Sequence, residues 1–161
     1  MILATDLSSH FELIMAFRGR ASTKKFPEEN RAEDKQIIMN IVLYASDHAA
    51  PCKSSMAYFR WMANEMEEYY QQGDIEKKLG YKITPFFDRT TCNPFIFQRG
   101  YMSVIVEPLY LTILEFLPAV CRMDCQTKGL EENKALLDQK IEETKNLMNV
   151  SMSTHELNLD D

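Results

Sequence analysis

The sequence predicts an all-α chain, a bundle of five or six helices. Apolar residues recur at three and four residues along most of its length, and the strict alternation of a half-buried strand is nearly absent. Only five Gly and six Pro punctuate 161 residues, so long linkers and low-complexity segments are not expected. Residues 2–18 read as a first helix with Leu7, Phe11, Leu13 and Ile14 as its apolar stripe. Residues 19–34 have no period and read as a loop, basic in its first half and acidic in its second. A second helix begins near Asp34, carries Ile37, Ile38, Ile41, Val42 and Ala45 inward, and stops before Pro51. The third spans about 54–72 and is rich in aromatic residues, with an interruption at Gly73 and Asp74 and a short continuation to Gly80. After a loop, Asn93 caps and Pro94 opens a long helix that Pro108 should kink. A last amphipathic helix is expected over 130–148. Residues 1–150 are taken as one domain and 151–161 as a flexible acidic tail.

Composition narrows the function. The formal net charge is −6, and Lys and Arg lie scattered among acidic residues, which disfavours nucleic-acid binding because phosphate neutralisation supplies most of that affinity. Cys52, Cys92, Cys121 and Cys125 follow no CxxC pattern and no secretory leader precedes them. They read as reduced thiols of a cytoplasmic protein, with no metal site at Cys121 and Cys125. The most apolar stretch, 101–120, contains Glu107, Pro108 and Glu115, so it reads as a buried helix and not as a membrane span.

Four blocks stand in order along the chain: ASDHAAP at 45–51, EMEEYYQQGDIEKKLG at 65–80, TPFFDR at 84–89 and FQRGYMSVIVEPLY at 97–110. In that order and spacing they resemble the class I cyclic nucleotide phosphodiesterases, and LATDLSSHF at 3–11 resembles the helix that precedes those blocks. The resemblance covers residues 2 to about 120. It implies an all-helical HD-type catalytic domain, here its carboxyl-terminal part only. It further implies two divalent metal ions, zinc with magnesium or manganese. Between them, a bridging hydroxide attacks the phosphorus of a 3′,5′-cyclic nucleotide to give the 5′-monophosphate.

Carried over residue by residue, the resemblance makes Asp47 a metal ligand, Gln98 the amide that reads the purine edge and Tyr101 the ring that stacks on the base. It places Phe86 in the loop bordering the base pocket, and Tyr58, Trp61 and Tyr69 among the aromatic residues supporting it. The paired His and Asp metal ligands, and the His that protonates the leaving oxygen, fall upstream of residue 1, so no catalytic residue is assigned within the chain. The amino-terminal half of such a domain is the expected partner. His10 is read as a hydrogen-bonded structural residue, and His48 as pointing about 100° away from Asp47 on a helix.

Two positions depart from the family pattern. Glu65 stands opposite Tyr101 where an aliphatic residue is usual, and Ala50 replaces an asparagine three positions after Asp47. These departures raise a second reading, a catalytically inactive nucleotide-binding or interaction module built on the same fold.

Overall fold

The computed structural model describes the backbone of residues 2–27, 31–117 and 124–157, and the side chains within those spans as far as residue 147, those of 124–126 excepted. Helices are the only regular structure among them, as the periodicity requires. Six α-helices follow in chain order: α1 His10–Ala21, α2 Ala32–Asp47, α3 Ser55–Lys78, α4 Pro94–Tyr101, α5 Glu107–Phe116 and α6 Asp124–Leu157.

The amino-terminal segment departs from the expected single helix. Ile2–Thr5 and Leu7–Ser9 form tight three-residue-per-turn helices, and the Asp6 carboxylate accepts a hydrogen bond from the Ser8 amide at 2.9 Å. The buried stripe of α1 is His10, Ile14 and Phe17, while Leu7 and Phe11 of the expected stripe face solvent. A polar residue took an inward position because its polar atom finds a partner there. His10 Nδ1 shares a 2.9 Å hydrogen bond with the Tyr44 hydroxyl. Phe17 meets the rings of Phe26 and Phe116 edge-on, which joins α1 to the following loop and to α5.

The loop after α1 turns back on a buried ion pair. Arg20, at the end of α1, grips both carboxylate oxygens of Asp34 at 2.6 Å each, and Asp34 lies fully buried in the first turn of α2. The basic and acidic halves of the loop are thus the two sides of one closure. Ile41 and Ala45 of α2 are buried as expected, with Ile37, Ile38 and Val42 partly so; Tyr44, between them, is fully buried as well.

Helix α3 runs unbroken through Gly73 and Asp74, where an interruption was expected. A Cβ on Gly73 would lie 2.0 Å from the Phe87 carbonyl oxygen, so the glycine is there to let the 81–93 loop lie against the helix and not to end it. Arg89 fastens that loop to α3 through Glu67 and Asp74. The expected cap is present: Asn93 Oδ1 accepts from the amides of Phe95 and Ile96, with Pro94 in the first turn of α4.

At Met102–Val106 the backbone widens into a π-helical turn before α5. This is the form the expected kink takes, because Pro108 cannot donate to the carbonyl one turn earlier and its ring crowds that turn. Met102, Val106, Leu109, Tyr110 and Ile113 are buried along this stretch, and no helix among the described residues is long and apolar enough to cross a membrane. Helix α6 extends beyond the expected 130–148. It closes the bundle where Gly129 passes the Cys52 carbonyl and Asn133 Nδ2 donates to the carbonyls of Pro51 and Lys53. Cys121 and the side chain of Cys125 lie outside the described residues.

Two outcomes follow from this packing. G73A should destabilise the chain by about 1–3 kcal/mol, since the added methyl displaces backbone. G19A, with open space at that Cβ, should be neutral or stabilise it by up to about 1 kcal/mol. Urea midpoints check both, and equal midpoints for the two variants would contradict the account. The second outcome concerns pH. Burial, then the nearby His48 charge, lowers the His10 pKa below its ordinary 6.5, and burial lowers that of His48 as well. The unfolded chain therefore binds protons first as pH falls through 6.5. Stability is full above that value and declines below it until the lowered folded values are reached. Urea unfolding at neutral pH and about one unit below 6.5 should show the loss, and H10Q should shrink it.

Candidate functional site

The carboxyl end of α2, one face of α3 and the start of α4 converge on an open cavity of about 450 Å³. Asp47 and His48 reach it from the end of α2, and Gln98 and Tyr101, three apart on one face, from α4. Its wall is α3, where Tyr58, Met62, Glu65 and Tyr69 repeat at helical spacing along the cavity. Trp61, Asn64 and Glu68 form the adjacent rim.

Gln98, like Tyr58, is almost fully buried, 1% exposed. Its Nε2 donates to Glu65 Oε2 at 2.9 Å, and its Oε1 accepts from the Tyr58 hydroxyl at 3.2 Å. The other Glu65 oxygen accepts from the Tyr69 hydroxyl at 2.9 Å. A carboxylate only accepts, so the amide nitrogen must face Glu65 and the carbonyl must face Tyr58. Burial, and after it the charge of Glu65, pushes the Tyr58, Tyr69 and Tyr101 phenols well above their usual range, so all three remain neutral donors.

Tyr101 is tied to the far side of the cavity by a hydrogen bond between its hydroxyl and His48 Nδ1. His48 also stands edge-on to Tyr44 at 4.3 Å, and Tyr44 bonds His10, so a chain of rings joins α1, α2 and α4 beneath the cavity. Desolvation followed by the Asp47 charge pushes the Tyr44 phenol up to about 12. Helix α2 ends at Asp47, His48 leaves helical geometry at φ −91° and ψ 22°, and both residues line the cavity.

Of the residues marked in the sequence, Asp47, Glu65, Gln98 and Tyr101 come together in this one concavity, and Ala50 lines it too. Phe86 does not line it. It sits 59% exposed at a positive φ of 72° with its ring tilted against Phe97, which neighbours Gln98 on α4. The roles of His48 and Glu68 escaped the sequence reading; the adjacency of His48 to Asp47 was the only signal for it. Asp47 is exposed, with no paired cation among the described residues, and no group of three His, Cys, Asp or Glu residues there is placed to hold a metal ion. Among the described residues the Asp47 carboxylate lines the cavity without a partner, which fits a single ligand of a metal and not a complete metal centre.

The sequence profile of the family described as 3′5′-cyclic nucleotide phosphodiesterase matches residues 1–127. The chain belongs to that family. It is 33% identical over 150 residues, 89% of its length, to a Caenorhabditis elegans protein named probable 3′,5′-cyclic-AMP phosphodiesterase pde-4. It is 31% identical over 135 residues, 84% of its length, to the dual specificity calcium/calmodulin-dependent 3′,5′-cyclic nucleotide phosphodiesterase 1B of Bos taurus. These alignments span 22% and 23% of the respective relatives, so the chain corresponds to about a fifth of their length. The fold agrees with that of a solved structure of LmjPDEB1 in complex with IBMX, with a TM-score of 0.79 at 23% identity over 88% of this chain and 41% of the other.

The Gln98 contacts yield a stability outcome. E65L leaves the Gln98 nitrogen and the Tyr69 hydroxyl without their acceptor and should cost about 1–3 kcal/mol, whereas E65Q keeps an acceptor and should cost less. Urea unfolding of the two variants checks the order, and the reverse order would contradict the contacts described.

Proposed function

We propose that the chain forms the base-binding wall of a 3′,5′-cyclic nucleotide phosphodiesterase domain, a piece that lacks the His and Asp metal ligands and the general-acid His of the whole. One observation carries this reading: the exposed carboxylate of Asp47 and the buried amide of Gln98 line the same cavity, together with Tyr101 one turn along α4 from the amide. In this reading the purine lies against Tyr101 with its edge toward Gln98, and the cyclic phosphate points toward Asp47.

Asp47 is one ligand of a metal pair whose remaining ligands belong to the rest of the domain; zinc with magnesium or manganese suits a mixed His and carboxylate set. When bound, such ions neutralise phosphate charge and lower the pKa of water. The chain's own residues orient the substrate. The Tyr58 hydroxyl and the Glu65 carboxylate of α3 hold the Gln98 amide in one orientation, and His48 holds Tyr101 by its hydroxyl.

The exposed face of the amino-terminal segment supports the fragment reading. Leu3, Leu7, Phe11 and Met15 repeat every four residues, and all four face solvent. An apolar ladder of that length suits coverage by another part of the domain. The cytoplasm is the compartment proposed for the complete protein.

Glu65 favours a second reading, an inactive nucleotide-binding or interaction module. Its carboxylate already occupies the Gln98 nitrogen that a purine would use. The readings separate when the chain is joined to an upstream sequence carrying the missing ligands. Metal-dependent hydrolysis of cyclic AMP or cyclic GMP is expected from a phosphodiesterase, and nucleotide binding without turnover from the module. In the active assembly D47A should deplete bound metal, and Q98A should raise KM about tenfold or more with metal content unchanged. Unaltered metal content in D47A would remove Asp47 from the ligand set.

A further inference from the structure

The same cavity has a charge pattern that the nucleotide reading leaves unused. Glu65, Glu68 and Asp47 all line it, and no Lys or Arg side chain is among the lining residues. The aromatic side chains of Tyr58, Trp61, Tyr69 and Tyr101 make up much of the remaining wall. An aromatic enclosure with a carboxylate and no basic counter-charge attracts cations twice over, through ring faces and through charge.

Glu65 is not a mobile surface acid. Its two oxygens are each held at 2.9 Å, one by Gln98 Nε2 from α4 and the other by the Tyr69 hydroxyl one turn along α3. Each carboxylate oxygen has two lone pairs, so each keeps one for a ligand. Two parallel acceptors fixed in place match a planar fork of N–H donors, the geometry in which guanidinium and amidinium groups meet carboxylates. Arg89 of the 81–93 loop is committed to Glu67 and Asp74.

We propose that the cavity takes, beside Glu65 of α3, a planar organic cation carrying N–H donors, an amidinium or amino-heteroaromatic cation, with Glu65 as the residue that determines this specificity. The ring lies against the aromatic wall and its N–H groups reach the Glu65 oxygens. A neutral ring that presents a carbonyl oxygen at the same place meets a carboxylate with no proton between them and is rejected. This inference requires neither hydrolysis nor metal, and so stands apart from the phosphodiesterase reading.

Benzamidine and benzamide test it, being nearly identical in shape but different in charge and in the donor fork. Trp61 is the chain's only tryptophan and lines the cavity, so its fluorescence reports occupancy. Benzamidine should bind the full chain about tenfold or more tightly than benzamide. That advantage should fall several-fold in about 1 M salt, and E65Q should reduce it to about threefold or less. Equal binding of the two probes, binding of neither, or an advantage that survives both salt and E65Q would each overturn the inference. The wild-type comparison and its salt dependence decide the matter even where E65Q fails to fold. Cyclic AMP titrated in parallel separates the two readings. Benzamidine binding without nucleotide binding upholds this inference and counts against the nucleotide pocket, and nucleotide binding without a benzamidine preference does the reverse.

Discussion

A primary amide buried to 1% exposure must find partners or cost the chain several hydrogen bonds' worth of desolvation, and Gln98 finds its partners, Tyr58, Glu65 and the Met66 sulfur, on α3. That requirement ties α4 to α3 through side chains, while α4 packs mainly against α6. It also fixes which way the amide faces, because an acceptor-only carboxylate stands on one side and a phenol kept neutral by burial stands on the other. The cavity is the space left beside this arrangement, bounded across the way by the end of α2. The site is therefore a consequence of polar satisfaction as much as of apolar packing.

The supports of that arrangement are themselves closely tied. The π-helical turn ahead of Pro108 lets α4 and α5 each follow its own packing partner, so Tyr101 lines the cavity while Met102 and Val106, in the same stretch, are fully buried. Tyr110 donates to the Ala45 carbonyl near the end of α2, and Asn133 ties α6 to the Ala50–Cys52 turn that follows it. Asp47 and His48 thus leave a helix end that is anchored from below. The position of the Asp47 backbone is set by the fold, although no partner among the described residues holds its carboxylate oxygens.

Much of this was legible in the sequence, for identifiable reasons. Asn93 and Pro94 announce a helix start through chemistry local to three residues, and the structure has that start. The blocks around Asp47, Glu65 and Gln98 marked residues that the fold brings into one cavity. Other features depend on contacts distant in the chain and could not be read from spacing. Gly73 carries a helix-breaking residue type, yet it is required by the Phe87 carbonyl fourteen positions later. His10 displaced Leu7 and Phe11 from the buried face because Tyr44 waits for it on another helix. Glu65 was visible as a departure from its family, but not that Gln98 and Tyr69 would hold it, and Phe86 was marked for a cavity that its strained loop keeps it out of. The family's hydrolytic chemistry is proposed for a longer assembly, as befits a chain spanning about a fifth of its relatives.

The account depends on Gln98 being held from α3 at the back of the shared cavity. Nuclear magnetic resonance of the Gln98 side-chain NH₂ in the full chain tests this most directly. The account predicts slow exchange with water and nuclear Overhauser contacts from the NH₂ protons to the Tyr69 ring, with the Tyr58 ring on the carbonyl side. Rapid exchange with solvent and no contact to either ring would contradict it.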